Sequence, residues 1–215
     1  MLCKFLHFLP AILLLVKICK VSCISSPKIA VIGGGASGMF SAQAAGAACA
    51  ENNIDAQVHV FESSSKLMSK VEISGGGRCN VLHDTTKPVS DILNGYPRGK
   101  KELNGPFNKH FSPTDARTWF QSRGVELKTE IDGRMFPVTD SSQTIMDCIL
   151  SAAKENQVRI NTRQKVLSVT SCSKADRETS GYTITFQNEN KDEFQEHYDC
   201  VILATGSNPR GHELA

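Results

Sequence analysis

"KIAVIGGGASGMF", Lys28 to Phe40, is the stretch that decides the fold. Five apolar-leaning residues, Lys28 to Ile32, read as a short buried parallel strand. They run without a linker into Gly33-x-Gly35-x-x-Gly38 and then into an Ala-rich, helix-compatible segment ending near Asn52. A second β-rich run, "QVHVF" (57–61), follows and closes on Glu62. Strand, glycine turn, helix and strand within one short span make a βαβ unit. A glycine triplet alone is a weak signal, but this one has the strand before it, the helix after it and the acidic residue beyond. In that context Gly33 makes the tight turn and Gly35 lets backbone meet a pyrophosphate at the helix N-terminus. Gly38 permits close helix–strand packing. Glu62 is placed to accept hydrogen bonds from an adenosine ribose and to repel a 2′-phosphate, which favours FAD or NAD over NADP.

Just downstream lies "KVEISGGGRCN", Lys70 to Asn80. Three consecutive glycines are costly in backbone entropy. A plain NAD dehydrogenase has no use for such a ribbon directly after the ribose-binding strand. A dinucleotide with a large tricyclic head does, because a second side-chain-free segment must lie along its phosphates and ribityl chain. Gly76 and Gly77 would offer N–H groups, Arg78 would neutralise phosphate, and Asn80 would bond ribityl or ring atoms.

From Ser63 to His110 regular signals are weak, and the segment reads as a long polar connection. Ser112, Pro113 and Asp115 start a helix as N-cap, N1 and N3, with a stop at Gly124. "VELKTEIDGRMFPV" reads as a hairpin turning at Asp132-Gly133. Asp140 or Ser141 caps a further helix with apolar spacing at Ile145, Cys148, Ile149 and Ala152. "VRI" (158–160) and "KVLSV" (165–169) suit strands, "GYTITF" and "EFQEHY" complete a meander, and "CVILATG" (200–206) reads as another buried strand.

These segments together resemble the BaiN-like FAD-dependent oxidoreductases, flavoproteins with a glutathione-reductase-type FAD domain. The motifs are "VIGGGASG", "KVEISGGGRCN", "DGRMFPVTDSSQTIMDCIL" and "VILATG", and the likeness covers residues 28–211. "YPRGKKELNGPF" (96–107) and "WFQSRGVELK" (119–128) are similar to the plant and algal branch. The resemblance implies an α/β, three-layer FAD/NAD(P)-binding Rossmann-like domain with a small β-meander, spanning residues 27–215. It implies that Gly33, Gly35, Ala36, Ser37 and Gly38 hold the pyrophosphate, and Glu62 the ribose. Lys70, Gly76, Gly77, Arg78, Cys79 and Asn80 would run along the phosphates and ribityl chain. Val166 would meet the adenine through its backbone, and Ala204, Thr205 and Gly206 would close over the cofactor. FAD is the implied cofactor, and a reduced nicotinamide, NAD(P)H, the implied reductant. Leu82-His83 and Ser207 depart from the family pattern, which carries Thr-Asn and a glycine there. Family members are longer than this chain, so the resemblance implies a C-terminally incomplete domain lacking the inserted substrate-side domain and last flavin-contacting segment. A non-catalytic dinucleotide-binding remnant and an NAD-dependent dehydrogenase are the competing functional readings.

Residues 1–26 stand apart. Lys4, an apolar run from Phe5 to Val16, and Val21-Ser22-Cys23 as a small-residue cleavage site fit a secretory-type signal. The run is shorter than the roughly 20 apolar residues of a membrane span, so no stable span is expected after cleavage. A plastid or mitochondrial presequence, or a start codon set upstream of a cytosolic protein, are the alternatives. Net charge is +2 with 21% charged residues, which makes no electrostatic case for nucleic acid and leaves small molecules as the expected partners. Beyond Cys3, Cys19 and Cys23, five widely spaced cysteines (Cys49, Cys79, Cys148, Cys172, Cys200) form neither a zinc pattern nor a disulfide framework. Cys79 is singled out only by its neighbours. His59, alternating on its strand, reads as packed, while His83, His110 and His212 read as loop residues. No catalytic residue is assigned.

Overall fold

The computed structural model describes residues 26–172, 180–208, 211, 213 and 214. The expected targeting segment, its cleavage site and its three cysteines lie outside those residues but for Ser26, as does His212. The chain divides into two units, one formed by Val71–Cys148 and the other by the described residues before and after it.

The flanking unit is built on a parallel sheet. Strand β1 (Lys28–Ile32) pairs on one side with β2 (Gln57–Phe61), which continues to β6 (Arg159–Asn161), and on the other with β10 (Cys200–Leu203). Helix α1 (Ala36–Glu51) packs against β1, β2 and β10. Strands β7 (Lys165–Cys172), β8 (Gly181–Gln187) and β9 (Glu193–Tyr198) form an antiparallel meander with β8 in the middle. Side chains alternate across a strand, so Ala30, Ile32 and Phe61 present one sheet face to Ile184, Phe186 and Tyr198 of the meander. Helix, parallel sheet and meander are the three layers expected. This is an α/β Rossmann-like fold of the FAD-binding type.

A polar relay fastens the meander to the sheet. The buried Tyr198 hydroxyl donates to Glu196 Oε2 at 2.9 Å, and Lys28 Nζ donates to Glu196 Oε1 at 2.7 Å. A hydroxyl has one hydrogen, so the 2.8 Å contact between Tyr198 and His59 is a bond donated by the histidine Nδ1–H. His59 is thus a satisfied core residue, 7% exposed. Burial pushes its pKa below the ordinary 6.5, against the pull of Glu196. Burial also pushes the Glu196 carboxyl up, but hydrogen bonds from Lys28 and Tyr198 outweigh it and hold the carboxyl low.

The Val71–Cys148 unit corrects one reading. The segment expected as a long polar connection carries three short helices, α2 (Ser69–Gly77, with non-helical backbone at Ser74–Gly76), α3 (Val89–Leu93) and α4 (Lys100–Lys109), and a short strand β3 (Leu82–His83). Their signals were weak for a physical reason. α2 ends in three glycines, and α4 carries Gly105-Pro106, the two poorest helix formers side by side. Helix α5 (Pro113–Gln121) starts as read, on a full capping box between Ser112 and Asp115. Strands β4 (Leu127–Thr129) and β5 (Arg134–Pro137) form the hairpin, with β3 added on the far side of β5. Helix α6 (Ser142–Glu155) buries Ile145, Cys148, Ile149 and Ala152 as their spacing requires. A second correction concerns "CVILATG". Among the described residues β10 lies at the edge of its sheet, and Leu203 is 39% exposed. Continuous hydrophobicity marks a strand but does not say how many neighbours it has.

Tyr198→Phe strands Glu196 and His59 without their shared partner, and is expected to lower unfolding free energy by about 1–3 kcal/mol. In the parent, an unfolded histidine binds its proton first, so the His59 contribution is intact above about pH 6.5 and is lost as pH falls. Urea titrations of both proteins, with thermal melts of the parent from neutral to acid pH, check the two statements.

Candidate functional site

The first glycine turn is the most constrained backbone in the flanking unit. Gly33 has φ +112, and a Cβ there would stand 2.5 Å from the Ala204 carbonyl oxygen. A Cβ on Gly38 would stand 1.8 Å from the Gly33 carbonyl oxygen, inside any allowed contact. Backbone bonds complete the pinch: Gly33 N–H donates to Phe61 O and Ala204 N–H to Ile32 O, each at 2.8 Å. Gly35 is different. Nothing lies within 4 Å of the place its Cβ would take.

Gly35 is also the N-cap of α1, and no side chain caps that end. The first turn of a 16-residue helix therefore presents its N–H groups at an opening kept free of side chains. Ala36 and Ser37 are exposed beside it, while Gly38 is buried in the pinch. Such a terminus suits a pyrophosphate and fits the group the motif implies.

Glu62 stands at the rim. Its Oε2 accepts from Gly34 N–H at 2.8 Å, and its Oε1 from Ser64 N–H at 2.8 Å and Ser63 Oγ at 3.2 Å. Burial raises the carboxyl, but these bonds prevail and keep it below the ordinary carboxylate range. A carboxylate offers about four lone-pair positions, so an ionised Glu62 fastens the glycine turn and keeps capacity for a ribose hydroxyl. Gly34 was not singled out from the sequence. Its N–H holds Glu62, its carbonyl accepts from Met68 N–H at 2.8 Å, and it is buried.

The other expected residues of this unit are placed as follows. Ala204 abuts Gly33, Thr205 follows it, and Gly206 turns with φ +63. Lys70 Nζ donates to Ser207 Oγ at 3.0 Å. Val166 lies on β7 opposite Phe186, at an irregularity between Val166 and Ser168, with its side chain packed on the core.

Gly76, Gly77, Arg78, Cys79 and Asn80 belong to the Val71–Cys148 unit. Gly75, Gly76 and Gly77 have φ +57, +70 and +84, and Cys79 has +61. Side chains are excluded here for two reasons. At Gly75 space is short, since a Cβ would meet the Phe136 ring at 2.8 Å. At Gly76 and Gly77 space is open and the left-handed conformation itself selects glycine. Arg78 is already engaged. Its guanidinium donates to Glu130 at 2.6 Å, lies 3.6 Å from Asp140, and sits 4.0 Å above the Phe136 ring. The sequence marked Arg78 but not these partners, whose only signal was the acidic residues flanking the hairpin. Cys79 is buried, and burial pushes its thiol up, the opposite of a reactive thiolate. Asn80 is exposed. Among the described residues no group of three or more His, Cys, Asp or Glu is placed to hold a metal.

Residues 27–212 match the family model described as HI0933-like protein Rossmann domain. The chain belongs to that family. The family is one of FAD-binding Rossmann-domain flavoproteins, the group to which BaiN belongs. Two curated relatives are similar at 27% identity. One is a 3-dehydro-bile acid delta(4,6)-reductase of Clostridium scindens, aligned over 65% of this chain and 32% of its own length. The other is a ribosomal RNA dihydrouridine synthase of Escherichia coli, aligned over 72% of this chain and 34% of its own length. The chain thus spans about a third of the curated relatives it matches. Among solved structures, THI4 of Thermovibrio ammonificans superposes with a TM-score of 0.53 at 14% identity, over 85% of this chain and 57% of that one. That likeness concerns the fold alone.

The two glycines of the turn separate stability from ligand binding. Gly38→Ala should cost about 3 kcal/mol of stability through its clash with Gly33. Gly35→Ala should leave the melting temperature unchanged and weaken adenine-dinucleotide affinity by roughly tenfold. Thermal melts and isothermal titration on both variants check this contrast.

Proposed function

We propose that this chain binds FAD non-covalently, as part of an oxidoreductase that passes hydride or electrons from a reduced nicotinamide to an organic acceptor. The observation that carries the reading is the opening at Gly35, at a helix N-terminus without a side-chain cap. In this proposal the α1 amides and Ser37 take the pyrophosphate, Glu62 the adenosine ribose, and Ala204, Thr205 and Gly206 close over the cofactor. Lys70 and residues 76–80 are assigned to its phosphate and ribityl part, and Val166 to the adenine, on the strength of the motif resemblance. When bound, the isoalloxazine supplies the electron chemistry, while the protein positions it. Within the family we place the chain in the plant and algal branch, on "YPRGKKELNGPF" and "WFQSRGVELK". Residues 1–26 are proposed as a targeting segment, and 27–215 as the FAD domain. Among the described residues no helix is long and apolar enough to cross a membrane.

The test is direct. The purified chain should be yellow or become so on incubation with FAD, with a flavin spectrum that survives gel filtration and is bleached by a reduced nicotinamide. A colourless protein that takes up no FAD favours the non-catalytic remnant. Tight NAD binding without FAD binding favours the dehydrogenase.

A further inference from the structure

Beside Asn80, within the Val71–Cys148 unit, lies a cleft of about 560 Å³. Asn80 is at once the last residue of the second glycine ribbon and part of the cleft wall. The rest of the wall is apolar and aromatic, led by Leu82, Ile92, Phe107, Phe111 and Ala116. It contains no lysine, arginine, aspartate or glutamate; His83 and Tyr96 are its titratable side chains, and the Ser112 hydroxyl beside them is committed to Asp115. Such a volume and such a lining, mostly apolar with a few polar groups, are those of a small-molecule site rather than of a packed interior.

The helix beside it points the same way. α4 has no side-chain N-cap, carries Gly105-Pro106 inside, and has no fully buried residue. Helices of that length stand mainly on what they pack against. Phe107, its largest apolar residue, reaches Tyr96 edge-on at 6.0 Å and lines the cleft half-exposed. A flat occupant stacked on one of these two perpendicular rings and meeting the edge of the other would extend their burial and steady the helix.

We infer that this cleft binds a flat, uncharged, fused-ring organic molecule, the acceptor class of the proposed flavoenzyme. Its absence of charged walls rejects a nucleotide or an acidic metabolite, because an anion there would be desolvated without a counter-charge. The Asn80 carboxamide supplies the donor and acceptor that orient a ring carbonyl or hydroxyl. The assignment as acceptor site rests on the flavoprotein reading; the binding itself does not.

The experiment uses the full chain and prodan, a neutral dialkylaminonaphthalene ketone whose emission shifts to the blue when it leaves water. Saturable blue-shifted binding is expected in the parent. Ala116→Phe, which fills the cleft from α5, should weaken it by roughly tenfold or more, with the thermal melt unchanged. Ile131→Ser removes the most exposed large apolar side chain, at the hairpin tip, and should leave binding intact. FAD uptake is followed separately in the same samples by its visible spectrum. No prodan binding, binding unaffected by Ala116→Phe, or binding lost in Ile131→Ser overturns the site. Prodan binding that responds to Ala116→Phe in a protein that takes up no FAD upholds the cleft and overturns only its role as acceptor site.

Discussion

The constraint on which the flanking unit turns is a three-way backbone crowding. Gly33 leaves β1 against the Ala204 carbonyl, and Gly38 in the first turns of α1 comes back against the Gly33 carbonyl. No Cβ fits at either crossing. Because the chain is that tight there, α1 starts soon after the strand, and its first turn begins beside the open position at Gly35. Glu62, at the end of the neighbouring strand, braces the turn through Gly34 N–H. The electrostatics follow from the geometry: a positive helix end, held in place by an ionised carboxylate at its rim.

A different device holds the meander onto this sheet. Apolar contact among Ala30, Ile32, Phe61, Ile184 and Phe186 supplies the bulk of the association. The hydroxyl of Tyr198, shared between His59 and Glu196, gives it a defined register, since a slip by one residue would bury those polar groups without partners. The histidine on β2 is therefore structural.

Much of this was legible in the residues themselves. Periodicity and glycine placement were enough for β1, α1 and β2, and a serine–proline–aspartate start was enough for α5. The helices between Ser69 and Lys109 were not legible, because glycine runs and Gly105-Pro106 suppress the local signal. In the site, Gly33, Gly35, Gly38 and Glu62 announced themselves by spacing. Gly34 did not, since its part is a single N–H and a buried position. Nor did Glu130 and Phe136, which meet Arg78 only through a hairpin folding back some fifty residues later. A guanidinium assigned to a phosphate from sequence alone thus proves to have two carboxylates and an aromatic face around it.

The central claim is that the uncapped first turn of α1, opened at Gly35, receives the pyrophosphate of FAD. Amide hydrogen exchange followed by mass spectrometry, with and without FAD, addresses it at the residues concerned. The account predicts slowed exchange in the peptide covering Gly33 to Phe40, where free N–H groups gain an acceptor. FAD binding with unchanged exchange over that peptide would contradict it.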